Sequence, residues 1–305
     1  MAVQIFPSIS NKATLSDGTT YAYIRVPADH KPTFLLLHGF PSSSYDWRHI
    51  VPMLTEHGYG VIAPDLLGYG DSDKSKDYTD YSLSLVRHEG LNHVIGVGHL
   101  LVTVAHPTLF SAVVFLAVGY FPPGRMDIDA ANSIGEKVLG YTNFGYWYFF
   151  NENTAGSIPN AAPDSLNSLL YSTTAEDWKT IMGPVSSAKV APPPSWLSQE
   201  ERDTHIRIFQ KGGYTGPLSW YKSCIRGVDE PFYSKFETDE SKTLDFPALV
   251  ITAEYDYVCH PEFQKPAAQK YLTNGRVEQL QCSHWVPLEK PAKLFKLLDE
   301  FASGL

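Results

Sequence analysis

The chain has 305 residues, 43% hydrophobic and 19% charged, a balance that fits a folded globular protein and excludes a disordered one. A net charge of −9, with no cluster of Lys and Arg, excludes a surface built to neutralise phosphates, so nucleic acid is not an expected partner.

In chain order, Thr20 to Val26 (TYAYIRV) alternates after the Asp17-Gly18 turn signal and reads as a hairpin strand. Thr33 to Leu37, Gly60 to Pro64, Val94 to Val97 and Ser111 to Val118 are short apolar runs, the pattern of parallel strands buried on both faces. Tyr45 to His57 places Trp47, Ile50, Val51 and Leu54 on one helical face. Strands alternating with helices imply crossover units and a doubly wound, mostly parallel sheet. After Gly119 the character changes: residues 120–235 are rich in Pro, Gly, Tyr and Trp and hold no strand-like run. The strand pattern returns at Ala248 to Ala253 and Gly275 to Leu280, and Lys293 to Phe301 spaces its apolar residues as a closing helix. The expected organisation is one α/β core, residues 1–124 and 236–305, interrupted by a helical insertion at residues 125–235.

Ligands of such sheets bind beyond the carboxyl ends of the strands, which singles out the residues just after each run. His38-Gly39-Phe40-Pro41 follows the first buried strand, Ala253-Glu254-Tyr255-Asp256 a later one, and Cys282-Ser283-His284-Trp285 the last. A tight turn is the structural alternative for the first, and a solvated loop carboxylate for the second. Most of the eleven histidines must be surface or structural, but His284 sits at a strand end, after the acid, in the order acid then base.

HGFP followed by Ser-Ser-Ser-Tyr-Asp-Trp-Arg resembles the epoxide-hydrolase branch of the α/β-hydrolases, and phrases such as Gly212-Gly-Tyr-Thr-Gly-Pro217 strengthen the resemblance, toward the fungal-type members. The resemblance spans nearly the whole chain. It implies an α/β-hydrolase fold with the insertion serving as a lid, and no cofactor or metal. It also implies that the Phe40 backbone N–H points into an oxyanion hole, where one donor is worth about 3–4 kcal/mol. Asp256 would orient His284, which activates water. Tyr146, in Phe144 to Phe150, and Tyr221, in Leu218 to Tyr221, would donate hydrogen bonds to the oxygen of a small apolar epoxide. Packed aromatics are the plainer reading of these two tyrosines.

The sequence departs from the family at one place. The strand Val94 to Val97 should lead into Gly-His-Asp-Trp-Gly, whose Asp attacks the epoxide and forms an ester. Here it reads Gly98-His99-Leu100-Leu101-Val102, and Leu100 has no nucleophilic atom. Both this segment and Asp80 to Gly90 are about two helical turns short of the family pattern. No G-x-S-x-G replaces the nucleophile, which disfavours a serine esterase, and no His or Cys spacing suggests a metal. A dehalogenase would need the same missing Asp.

The leading reading is an epoxide-hydrolase-like enzyme of doubtful activity that adds water to an oxirane to give a diol. The alternatives are a non-catalytic protein that binds a small apolar ligand, a dehalogenase-like or esterase-like hydrolase, and a chain from which residues at the elbow are missing. The first residues hold no basic stretch before an apolar run, so no signal peptide is expected. The longest apolar run, Ala112 to Phe121, is about half a membrane span. Three cysteines, Cys224, Cys259 and Cys282, are too few and odd in number for a disulfide framework. The expected location is the cytoplasm. Oligomeric state is not legible.

Overall fold

The computed structural model describes residues 5–75, 93–99, 107–157, 162–172, 174–181 and 190–305. Its centre is an eight-stranded sheet: β1 Ser10–Thr14, β2 Thr20–Val26, β3 Thr33–Leu37, β4 Gly60–Pro64, β5 Val94–Gly98, β6 Phe110–Leu116, β7 Ala248–Ala253 and β8 Gly275–Leu280. The strand order is β1-β2-β4-β3-β5-β6-β7-β8; β1, β2 and β4 pair antiparallel and every later pair is parallel. Every residue of β3, β4, β5 and β7 is buried, as expected for strands covered on both faces. This is the expected doubly wound α/β-hydrolase sheet.

Three expectations shift. The predicted helix from Tyr45 to His57 is two pieces, a single turn at Ser44–Trp47 and α1 at Ile50–Glu56. The Ser43 side chain caps the first turn by accepting from the Tyr45 N–H. The fourth buried run ends at Leu116 rather than Val118, because Ala117 takes a left-handed backbone with φ 57 and turns the chain off the sheet. The edge strand β1, Ser10–Thr14, has no apolar pattern to announce it, since only Ala13 is buried.

The two faces are covered differently. On one, Ile50, Val51 and Leu54 of α1 meet Phe34, Leu36, Ile95 and Val97 of the sheet, joined by Leu294, Leu298 and Ala302 of the last helix. Full burial of a side chain such as Leu54, Leu294 or Leu298 stabilises by about 1.5–3 kcal/mol. Between β6 and β7 the chain runs through helices α2 Ile128–Leu139, α3 Tyr146–Asn151, α4 Pro163–Leu170, α5 Gln199–Gly212 and α6 Thr215–Ile225; α7 Pro261–Tyr271 and α8 Pro291–Ser303 belong to the sheet. Ile208 and Phe209 of α5 and Tyr214 at the start of α6 pack with Leu35, Leu37, Ile62 and Leu66 of the core.

Polar contacts tie the same helices down. Glu201 of α5 accepts from Arg48 Nε at 2.7 Å and contacts His49 Nε2 at 3.0 Å. Lys211 donates to Asp71 at 2.8 Å, and Trp220 Nε1 to the Leu67 carbonyl at 3.0 Å. The loop after β4 passes so close to α6 that a Cβ on Gly68, whose φ is 89, would lie 2.7 Å from the Gly216 carbonyl carbon. A Cβ on Gly216 would lie 2.9 Å from the Gly68 Cα. Both positions therefore require glycine. Among the described residues no helix is long and apolar enough to cross a membrane.

Candidate active site

The strand order reverses around β3, with β4 on one side and β5 on the other, and the loops leaving β3 and β5 open the crevice where such sheets bind ligands. His38, fully buried, fixes the first loop: its Nδ1–H donates to the Gly39 carbonyl at 2.8 Å, and its Nε2 accepts from the Leu66 N–H at 3.0 Å. Burial lowers its pKa to about 4, so it stays a neutral strut. Next to it, Asp65 accepts from the N–H and hydroxyl of Ser44 at 2.9 and 2.7 Å and from the Asp71 N–H at 3.0 Å. The Ser72 hydroxyl accepts from the Ala22 N–H at 2.9 Å and donates to the Asp65 carbonyl, which gives this serine a structural role and not a nucleophile's.

Asp256 and His284 meet across two loops. Asp256 is fully buried; its Oδ1 accepts from the N–H groups of Val258 and Cys259 at 3.0 and 2.8 Å, and its Oδ2 accepts from His284 Nδ1 at 2.6 Å. A carboxylate that is acceptor-only fixes the proton on Nδ1 and leaves the Nε2 lone pair to take a proton from water. The histidine loop is itself pinned, because Glu289 accepts from the Ser283 N–H and hydroxyl at 2.9 and 2.7 Å. His99, just after β5, packs against His284 with tilted rings whose centres are 4.6 Å apart, and donates from Nε2 to the His284 carbonyl at 3.0 Å. Burial first, and then the neighbouring His284, hold the His99 pKa well below its usual value.

The predicted tyrosines also come together. Tyr146 opens α3 and Tyr221 lies on α6; their ring centres are 6.1 Å apart, edge to face. Phe40 packs edge-on against Tyr221 at 5.4 Å and against Phe150 at 5.0 Å. Burial raises both phenol pKa values, so both hydroxyls remain protonated donors. One apolar cluster joins Tyr146, Trp147, Phe150 and Trp178 of the intervening helices to Trp285 and Val258 of the core, with Phe40, Tyr221 and Cys259 packed against it. Trp178 covers His284 at a ring distance of 5.6 Å.

A family model described as alpha/beta hydrolase fold matches residues 32–94. Epoxide hydrolase A of Mycobacterium tuberculosis is 28% identical, over 95% of this chain and 96% of its own length. The solved epoxide hydrolase A of Mycobacterium thermoresistibile superposes with a TM-score of 0.79 at 26% identity, over 97% of this chain and 99% of that one. The fold is that of an α/β-hydrolase, and the chain is similar along nearly its whole length to epoxide hydrolases. Bifunctional epoxide hydrolase 2 of Rattus norvegicus is 28% identical over 88% of the chain, which spans about half, 51%, of that relative's length.

All five residues singled out from the sequence come together: Asp256 bonds His284, and Phe40, Tyr146 and Tyr221 pack in the adjoining aromatic cluster with Trp285 and Trp178. The segments that carry the departure from the family, Leu100 to His106 and Asp80 to Gly90, lie outside the described residues. Sequence reasoning missed Cys259 and Trp178, and treated His99 only as part of a broken motif. It also found no metal spacing, whereas an Asp256 carboxylate oxygen, the Cys259 sulfur and a His284 nitrogen lie within 4.8 Å of one another. That set is poorly disposed to hold an ion, since Asp256 Oδ2 and His284 Nδ1 are already bonded to each other and Oδ1 accepts two N–H groups.

Proposed function

We propose that this chain binds a small apolar epoxide between Tyr146, Tyr221 and Phe40 and adds water to it, giving a diol without a cofactor. The helices between β6 and β7 act as the lid, residues 125–235 in all, with residues 1–124 and 236–305 as the core. The observation that carries the reading is the 2.6 Å Asp256–His284 pair beside the apolar cluster that also holds two buried phenols with ring centres 6.1 Å apart. His284 Nε2 accepts a proton from water, which attacks a ring carbon. Tyr146 and Tyr221 hydrogen-bond the ring oxygen, and one of them protonates the alkoxide as the carbon–oxygen bond breaks. The Phe40 N–H supports the developing negative charge.

With Leu100 after His99, no ester forms and water attacks directly. General-base assistance gives about 10²–10⁴-fold, whereas loss of a nucleophile that works with its base costs about 10⁶. Turnover is therefore slow, and binding of epoxides and diols outlasts it. The small, odd number of cysteines, all free thiols, supports a cytoplasmic location.

Single-turnover hydrolysis of styrene oxide in heavy-oxygen water tests the route. Direct attack puts the label in every diol formed, while an ester route delivers an unlabelled protein oxygen first. Unlabelled diol in the first turnover, or steady turnover on the order of 1–10³ per second, refutes the proposal.

A further inference from the structure

Cys259 enters the site with Asp256. It stands three residues further along the loop after β7, and its backbone N–H is one of the two donors to Asp256 Oδ1. Its sulfur, a ring nitrogen of His284 and a carboxylate oxygen of Asp256 all lie within 4.8 Å of one another. The same side chain packs against the aromatic cluster that holds Tyr146, Trp147 and Tyr221. The other two cysteines differ. Cys282 is fully buried, with its sulfur 3.8 Å from the Leu280 carbonyl, and Cys224 lies a turn beyond Tyr221 on α6 and outside that group of three.

A thiol within 4.8 Å of an imidazole that is itself oriented by a carboxylate has a base nearby to take its proton as it attacks. We infer that Cys259 opens an epoxide held by Tyr146 and Tyr221 and keeps it as a β-hydroxy thioether. The inference rests on the reading of this pocket as an epoxide site. In the step the sulfur–carbon bond forms as a ring carbon–oxygen bond breaks. The thiol proton passes to His284, the ring oxygen takes a proton from one tyrosine, and that phenolate recovers its proton from His284. Every atom is supplied by thiol and epoxide, and nothing is oxidised or reduced. A thioether has no carbonyl for water to attack, so capture ends there and leaves the pocket filled. Burial, and then the Asp256 charge, hold the thiol pKa well above its usual value, so capture depends on His284 as base and competes slowly with hydration.

The test is incubation of the intact protein with styrene oxide, followed by intact mass, peptide mapping, diol analysis and tryptophan quenching. The expected result is one adduct per chain, mapped to Cys259, absent from Cys259→Ser and formed on the order of 10²-fold more slowly in His284→Gln. The map of the unaltered protein identifies the site even where a variant folds poorly. An adduct on Cys224 or Cys282 instead, or no adduct while diol forms or the epoxide quenches fluorescence, overturns the inference and leaves the epoxide reading standing. No adduct, no diol and no quenching overturns both.

Discussion

Replacing Asp256 with Asn tests the chemistry with little disturbance of shape. Asp256 is fully buried and makes three hydrogen bonds, two through Oδ1 to the Val258 and Cys259 N–H groups and one through Oδ2 to His284. An Asn has one oxygen and one amide nitrogen. Facing two backbone donors on one side and one imidazole on the other, it satisfies more bonds by keeping its oxygen toward Val258 and Cys259. The amide then donates to His284 Nδ1, which must become an acceptor, and the ring proton moves to Nε2. His284 can no longer take a proton from water. A wrong tautomer held in good geometry costs about 10⁴ in rate, while the loss of one charge-assisted bond costs about 1.5–3 kcal/mol of stability. Asp256→Asn is thus expected to stay folded and to lose single-turnover diol formation. Nitrogen chemical shifts of the ring read the tautomer directly, even where turnover is too slow to follow. Diol formation within tenfold of the unaltered chain, or a His284 still protonated at Nδ1, would refute the reasoning.

Tyr146→Phe and Tyr221→Phe should each slow single-turnover hydration by about 10²-fold with little change in epoxide binding, read by rapid quench and fluorescence titration. Gly70→Ala should destabilise by about 2–4 kcal/mol in urea unfolding, because Gly70 has φ 49 and a Cβ there would lie 2.0 Å from Asp65 Oδ2. His38 should contribute a loss of stability as pH drops from 6.5 toward about 4, since the unfolded chain takes a proton that the buried ring refuses. His205, lowered by burial to about 3, and His99 add to the same loss. The urea midpoint of His38→Gln should therefore depend less steeply on pH across that window than that of the unaltered chain.

The parallel core was legible because β3, β4 and β7 are buried at every position and so consist of unbroken apolar runs. β1 was not, because Ser10–Thr14 is an edge strand whose residues mostly face water. The helix read over Tyr45 to His57 failed at Arg48 and His49, whose side chains both reach Glu201 of α5, a contact 152–153 residues distant that no local pattern carries. Asp256 and His284 could be paired in advance because each follows a strand end and the order of acid and base is informative. The nearness of Cys259 to His284 could not: three residues beyond an acid is no signature, and only the backbone bonds to Asp256 Oδ1 curl that loop so that the thiol comes to the imidazole.

The meeting of Gly68 with Gly216 bears on how such proteins can be recombined. Two backbones in contact leave no side chain to trim, so the loop after β4 and the start of α6 form a single joint contributed by sequences 148 residues apart. A chimera that took helices α2 to α6 from a relative, but kept this chain's residues 66–72, would inherit half of that joint. It should fold poorly unless the donor also brings a glycine opposite Gly68. Exchanging the loop and the helices together should restore the fit, which makes residues 66–72 part of the exchangeable unit even though they lie in the core sequence.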